Sequence, residues 1–319
     1  MIPREWITEA AERIKPLIAR TPTTFDPDFD LFIKWENHQT TGSFKLRGAL
    51  NKVLALQPWE VERGLVTASA GNHGQGVAWA ANRVGAQVTV FASDQAVPAK
   101  LEAMRTLGAD VRLVPGGYAE AERTARKHAE AAGATWVSPY NDGQVIAGQG
   151  TIGLEMLAQG ASRVKAWVVP VGGGGLISGI SAALAGERMP PALVGVQSEA
   201  SPFFHALFHT GTQEGVREFE SLADGLSGEV EDGSLTIPIV RSRVQDFVLV
   251  SETSIAQAMA YAWRRYNEVI EGSAAAALAA VLTGEIAERP AAVVISGGNV
   301  DPQLHRAICS QYTGEELFQ

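Results

Sequence analysis

Eight short apolar runs recur along the chain, several of them continuous and β-branched: Leu31–Trp35, Gly64–Ala68, Gln87–Phe91, Asp110–Val114, Ala166–Pro170, Ala192–Gln197, Asp246–Val250 and Ala291–Ile295. Runs of this kind, without polar alternation, are what parallel strands buried on both faces require. Helix-periodic stretches lie between them: Ser43–Leu56, Asn72–Val84, Ala96–Leu107, Tyr118–Ala132, Gly148–Ala158, Leu176–Ala185, Ser254–Tyr266 and Ser273–Thr283. A further helical spacing opens the chain at Ile7, Ala10, Ala11 and Ile14. This alternation predicts a doubly wound α/β architecture. The strands fall into two groups, so two open-sheet domains are expected. Residues 64–140 form a small domain, inserted in a large one built from 1–63 and 141–319. A cleft between two such domains is a usual place for a ligand.

Composition narrows the function classes. The formal net charge is −9, which argues against nonspecific nucleic-acid binding. No apolar run approaches the roughly 20 residues of a membrane-spanning helix. The N-terminus lacks the apolar stretch of a signal peptide. Cys309 is the only cysteine, so no internal disulfide can form, and a cytoplasmic setting is expected.

Four polar or glycine-rich turns follow or precede these elements. The first is Thr41-Gly42-Ser43-Phe44-Lys45, with Ser43 expected as N-cap and Lys45 in the first helical turn. A positive local field there would lower the lysine pKa and favour the nucleophilic amine. An ordinary surface lysine fits the same spacing. The second is Ser69-Ala70-Gly71-Asn72-His73, between a strand and a helix, where backbone N–H groups offer an anion site. A simple helix cap reads equally well. The third is Gly172-Gly173-Gly174-Gly175 before Leu176. Four successive glycines let the backbone wrap around a phosphate at a helix N-terminus. No Gly-Lys-Ser/Thr follows, so it is not a nucleotide P-loop. The fourth, Ser296-Gly297-Gly298-Asn299, presents a hydroxyl at a strand's carboxyl end, where open α/β sheets bind ligands.

Taken in order, these motifs resemble the threonine/serine dehydratase and serine racemase group of pyridoxal-phosphate enzymes, with the tryptophan synthase β-like fold (fold type II). The resemblance extends to Glu36-Asn37, Ile146 to Thr151, Ala223-Asp224-Gly225 and Glu271-Gly272. It implies pyridoxal 5'-phosphate as cofactor, held covalently by Lys45. Phe44 and Gly225 would flank its ring, Asn72 would bond its ring oxygen, and Ser296 would face its pyridine nitrogen. Gly172, Gly173, Gly174, Gly175 and the Leu176 amide would hold its phosphate. Ser69, Ala70, Asn72 and His73 would receive the substrate. The freed Lys45 amine would then take the Cα proton, and loss of the β-hydroxyl would give a 2-oxo acid and ammonia. The resemblance also implies a homodimer acting on a small amino acid.

The chain departs from this group at two places. Racemases of the group carry a serine acid/base where this chain has Ala70, which holds no proton. Glu199 matches a cation-binding glutamate of some relatives, but no aspartate follows in Ala200 to His205, so no metal site is expected. The expected activity is dehydration of L-threonine or L-serine. A racemase, a 3-hydroxyaspartate dehydratase, a β-replacement enzyme and a non-catalytic binding protein remain as alternatives.

Overall fold

A computed structural model describes residues 1–312. Ten strands occur among them: β1 (Thr23–Asp26), β2 (Leu31–Trp35), β3 (Leu65–Ala68), β4 (Val88–Ser93), β5 (Asp110–Val114), β6 (Thr135–Trp136), β7 (Ala166–Pro170), β8 (Ala192–Ser198), β9 (Asp246–Val250) and β10 (Ala291–Ile295). They build a six-stranded sheet in the order β1-β2-β10-β7-β8-β9 and a four-stranded sheet in the order β5-β4-β3-β6. Every pairing is parallel except β1 with β2. The α/β class and the parallel sheets are those the sequence predicts.

The large sheet is covered on both faces, which explains why its strands read as continuous apolar runs. On one face the alanine-rich helix Gly272–Leu282, buried at every residue, packs with Ile255, Met259 and Ile308. On the other, Ile152, Met156, Ile177, Ile180 and Phe204 close over Trp167, Val169, Ala292 and Val294. The small sheet has its own core of Leu65, Val77, Val88, Val90 and Met104. That core takes in Leu46, Leu50 and Val53 from helix Lys45–Leu54, so packing crosses the boundary that strand order draws at residue 64. No helix among the described residues is long and apolar enough to cross a membrane.

Several expectations need correction. The strands β1 and β6 were not foreseen; four and two residues are too short to show a period. Helices Pro58–Glu62, Phe203–Thr210, Thr236–Arg243 and Pro302–Gln311 were missed as well. The helix expected from Gly148 begins at Gly143, where the Asp142 carboxylate accepts from the amides of Gln144 and Val145. Ser43 does not cap the helix at Lys45: Phe44 holds the N-cap position, and the Ser43 hydroxyl is buried without a partner among the described residues. Ser43 instead forms a bridge to Gly297, which ties the first turn to the fourth.

Candidate active site

All four turns converge on one cavity of about 410 Å³ between the sheets. The chain direction makes this so. In parallel sheets every strand's carboxyl end lies on the same edge. Ser69–Gly71 leave β3, Gly172–Gly174 leave β7 shortly after Pro170, and Ser296 leaves β10. Helix Lys45–Leu54 is brought to this edge by a glycine crossing. A Cβ on Gly148 would stand 2.4 Å from the Arg47 carbonyl oxygen, so only glycine allows helix Gly143–Ala158 to approach so closely.

The cavity wall includes every residue expected to hold the cofactor or the substrate: Phe44, Lys45, Ser69, Ala70, Asn72, His73, Gly172 to Leu176, Gly225 and Ser296. Lys45 is partly accessible through the cavity. Its Nζ donates to the Pro139 carbonyl at 3.2 Å and stands 5.3 Å from the Phe44 ring centroid. Burial lowers its pKa from 10.5 to about 8, against an opposing pull from Glu271. The direction is the one expected from sequence, and its largest cause is desolvation by burial.

The glycine turn is a cradle with its donors open. Among the described residues, no acceptor is found for the amides of Gly172 to Leu176. Gly174 has φ +84°, a left-handed conformation that favours glycine, and it is the N-cap of helix Gly175–Ala183. A Cβ on Gly173 would stand 2.4 Å from the Tyr140 ring, and that ring is anchored through its hydroxyl to the Glu231 amide. Open amides at a helix N-terminus fit a phosphate group without help from a cationic side chain. The residues present therefore fit pyridoxal phosphate: an amine of lowered pKa, a phosphate cradle and the Ser296 hydroxyl line one cavity.

Not every predicted donor is free. His73 Nε2 lies 3.1 Å from the Val137 carbonyl, so it carries the proton. Burial, with Lys45 nearby, lowers the ring's pKa to about 3, so the ring stays neutral and Nδ1 is an acceptor. A neutral ring with its only N–H engaged cannot donate to a substrate carboxylate. The Ser69 hydroxyl accepts from the Gly71 amide at 3.0 Å and keeps its own proton to donate.

The structure adds residues that sequence reasoning did not assign to the site. Tyr140 backs the glycine turn. Lys100 and Asp224 form an ion pair at 2.6 Å on the cavity wall. The Ser273 hydroxyl accepts from the Gly225 amide at 2.9 Å and holds that loop. Glu271 accepts from Asn72 Nδ2 at 2.7 Å, and burial raises its pKa to about 7. The sequence signal for Glu271 was an acidic residue separated by only Gly272 and Ser273 from the alanine run that begins at Ala274.

Comparisons with known proteins agree with this geometry. A family model described as "Pyridoxal-phosphate dependent enzyme" matches residues 14–297. An L-threonine ammonia-lyase from Thermotoga maritima is 41% identical over 311 residues, 95% of this chain and 77% of the relative. The structure of maize serine racemase superposes with a TM-score of 0.89 at 31% identity, covering 97% of each chain. Threonine deaminase isoform 2 from Solanum lycopersicum gives 0.88 at 28% identity, covering 97% of this chain and 93% of that one.

Proposed function

Because the chain belongs to the family of pyridoxal-phosphate dependent enzymes, we propose that it is an ammonia-lyase that dehydrates L-threonine, and L-serine with it, to a 2-oxo acid and ammonia. The observation that carries this reading is the pairing of Lys45 with the open amides of Gly172 to Leu176 across one cavity. Lys45 would hold the cofactor covalently, the glycine turn its phosphate, Asn72 its ring oxygen and Ser296 its ring nitrogen. Phe44 and Gly225 would lie on the two faces of the ring. Bound there, pyridoxal phosphate supplies an electron sink for charge developing at the substrate Cα.

The chain's own residues do the rest. A Lys45 amine of pKa about 8 is partly neutral near pH 7 and can take the Cα proton. The Ser69 hydroxyl and the amides at the start of helix Asn72–Val84 receive the substrate carboxylate. Ala70 lines the same wall and brings no proton to it, which favours elimination over inversion at Cα. The hydroxyl of Ser296, neutral where a carboxylate would be charged, would hold the ring nitrogen without giving it a proton, and a ring held so would favour loss of the β-substituent. We also propose that the enzyme works as a cytoplasmic homodimer. The lone, buried Cys309 suits a reducing compartment, and twofold dimers are the commonest soluble oligomers. Light scattering that returned a monomer mass at micromolar concentration would remove the dimer.

The test of the reaction is a substrate panel of L-threonine, L-serine, D-serine and 3-hydroxyaspartate, with 2-oxo acid and ammonia measured together. L-Threonine or L-serine should give equal amounts of both. Turnover of 3-hydroxyaspartate alone would overturn the assignment.

A further inference from the structure

Glu271 is the N-cap residue of helix Gly272–Leu282, yet its side chain does not cap that helix. It turns instead into the cavity wall, where only 6% of the residue is exposed. Putting a carboxyl group there costs several kcal/mol unless its neighbours compensate. Those neighbours form a directed chain. Asn299 Nδ2 donates to the Thr41 carbonyl at 2.8 Å and to Asn72 Oδ1 at 2.7 Å. Asn72 Nδ2 then donates to Glu271 Oε1 at 2.7 Å. Flipping the Asn72 amide would set oxygen against oxygen at Glu271 and N–H against N–H at Asn299. The amide is therefore locked from both ends, with one N–H left over.

The backbone fixes the lock. The Glu271 amide donates to the Gly297 carbonyl at 3.1 Å, and a Cβ on Gly297 would come within 2.6 Å of Glu271 Oε1. The Glu271 carboxyl is acted on by Asp224, which disfavours its ionised form, by Lys100, which favours it, and by Lys45 across the cavity they share. Glu271 in turn favours the cationic form of Lys45.

We propose, resting on the cofactor reading above, that Glu271 is a positioning residue for the lysine–cofactor centre: it makes Asn72 present an N–H rather than an oxygen to the cofactor ring, and its carboxyl group, on the wall of the cavity that Lys45 also lines, favours a charged Lys45 nitrogen when it is ionised. The first half predicts coupling. Glu271→Ala and Asn72→Ala should each weaken cofactor binding roughly 10-fold, and the double variant should lose little more than either alone. The second half concerns charge. Glu271→Gln keeps the volume and can still accept from Asn72, so it retains fold and cofactor. In its holoenzyme, the pH midpoint of the cofactor's visible absorbance should move down by about one unit, because a neutral neighbour no longer favours a protonated Lys45 nitrogen.

Cofactor affinity by absorbance titration and a pH titration of the holoenzyme read both halves without an activity assay. Additive losses in the double variant, or an unchanged midpoint in Glu271→Gln, overturn the proposal. Borohydride reduction and peptide mapping of the unmutated enzyme separate it from the underlying reading. A label on a lysine other than Lys45 would sink the cofactor assignment, while a label on Lys45 leaves the Glu271 result to stand or fall by itself.

Discussion

Lys45 and Arg47 are cations two residues apart on one helix, and their surroundings are opposite. Lys45 faces the cavity with one hydrogen bond, to a carbonyl, and its pKa is lowered to about 8. Arg47 points the other way and is fully buried. It pairs with Glu36 through Nε and Nη2, pairs with Glu155 through both terminal nitrogens, and reaches Thr21 and Thr151. Burial alone would destabilise its charge, but the two carboxylates outweigh it and raise its pKa. Lys34 joins the same cluster through Glu155 at 2.7 Å. Among the described residues, the half-buried Lys45 has no anionic hydrogen-bond partner and is held ready to lose its proton. Arg47 is saturated and ties Glu36, just after β2, to helix Lys45–Leu54 and helix Gly143–Ala158. The difference lies in the partners as well as in the residue type and the burial.

The sharpest way to break this contrast is to remove each cation in turn. Lys45→Ala should cut turnover by at least about 10³-fold, the upper range for loss of a positioned acid/base group. Its free energy of unfolding in urea should stay within about 1 kcal/mol of the unmutated chain, since only one weak bond is lost. Retained turnover in this variant, measured as 2-oxo acid release, would end the claim that Lys45 is the working amine.

Arg47→Met should show the reverse. It leaves Glu36 buried and unpaired, and breaking such a pair costs about 3–5 kcal/mol. Equilibrium urea unfolding measures this directly. Adding Glu36→Gln should recover part of the loss, because the stranded charge is then gone. A stability like that of Lys45→Ala would erase the distinction between the two sites.

The open side can also be tested away from the lysine. Gly173→Ala drives a methyl group into the anchored Tyr140 ring, and overpacking of this kind costs about 1–3 kcal/mol. Cofactor affinity should fall by roughly 10-fold or more. Global stability without cofactor should fall less than in Arg47→Met.

The smallest expected change is the most particular to this chain. Ala70→Ser places a hydroxyl on the wall where the chain has a methyl group. Both products, D-serine and pyruvate, can be measured from L-serine in one assay. The ratio of D-serine to pyruvate should rise by about 10-fold, below the full benefit of a well-placed acid. An unmutated enzyme that already makes D-serine as fast as pyruvate would show that Ala70 does not set the reaction type.

The sequence by itself determined the strand-and-helix alternation, because buried parallel strands must be apolar throughout and their helices must be amphipathic. It also marked the four turns, since a glycine run such as Gly172 to Gly175 is seldom needed for a plain bend. Lys45, Asn72 and Ser296 were singled out by the resemblance that the four turns carry together, since each turn alone also fits a plain structural reading. Only the tertiary structure decided what each of them touches. Glu271 is 199 positions from Asn72, and Asn299 is 227 positions from it, so no local pattern couples them. Two further findings have the same origin. Ser43 failed as a cap because the chain is drawn to Gly297 across the site, and His73 lost its donor to the Val137 carbonyl. Local periodicity reports which face of an element is buried. The partner of a buried polar group, and with it the group's pKa and chemistry, depends on distant segments that only packing brings together.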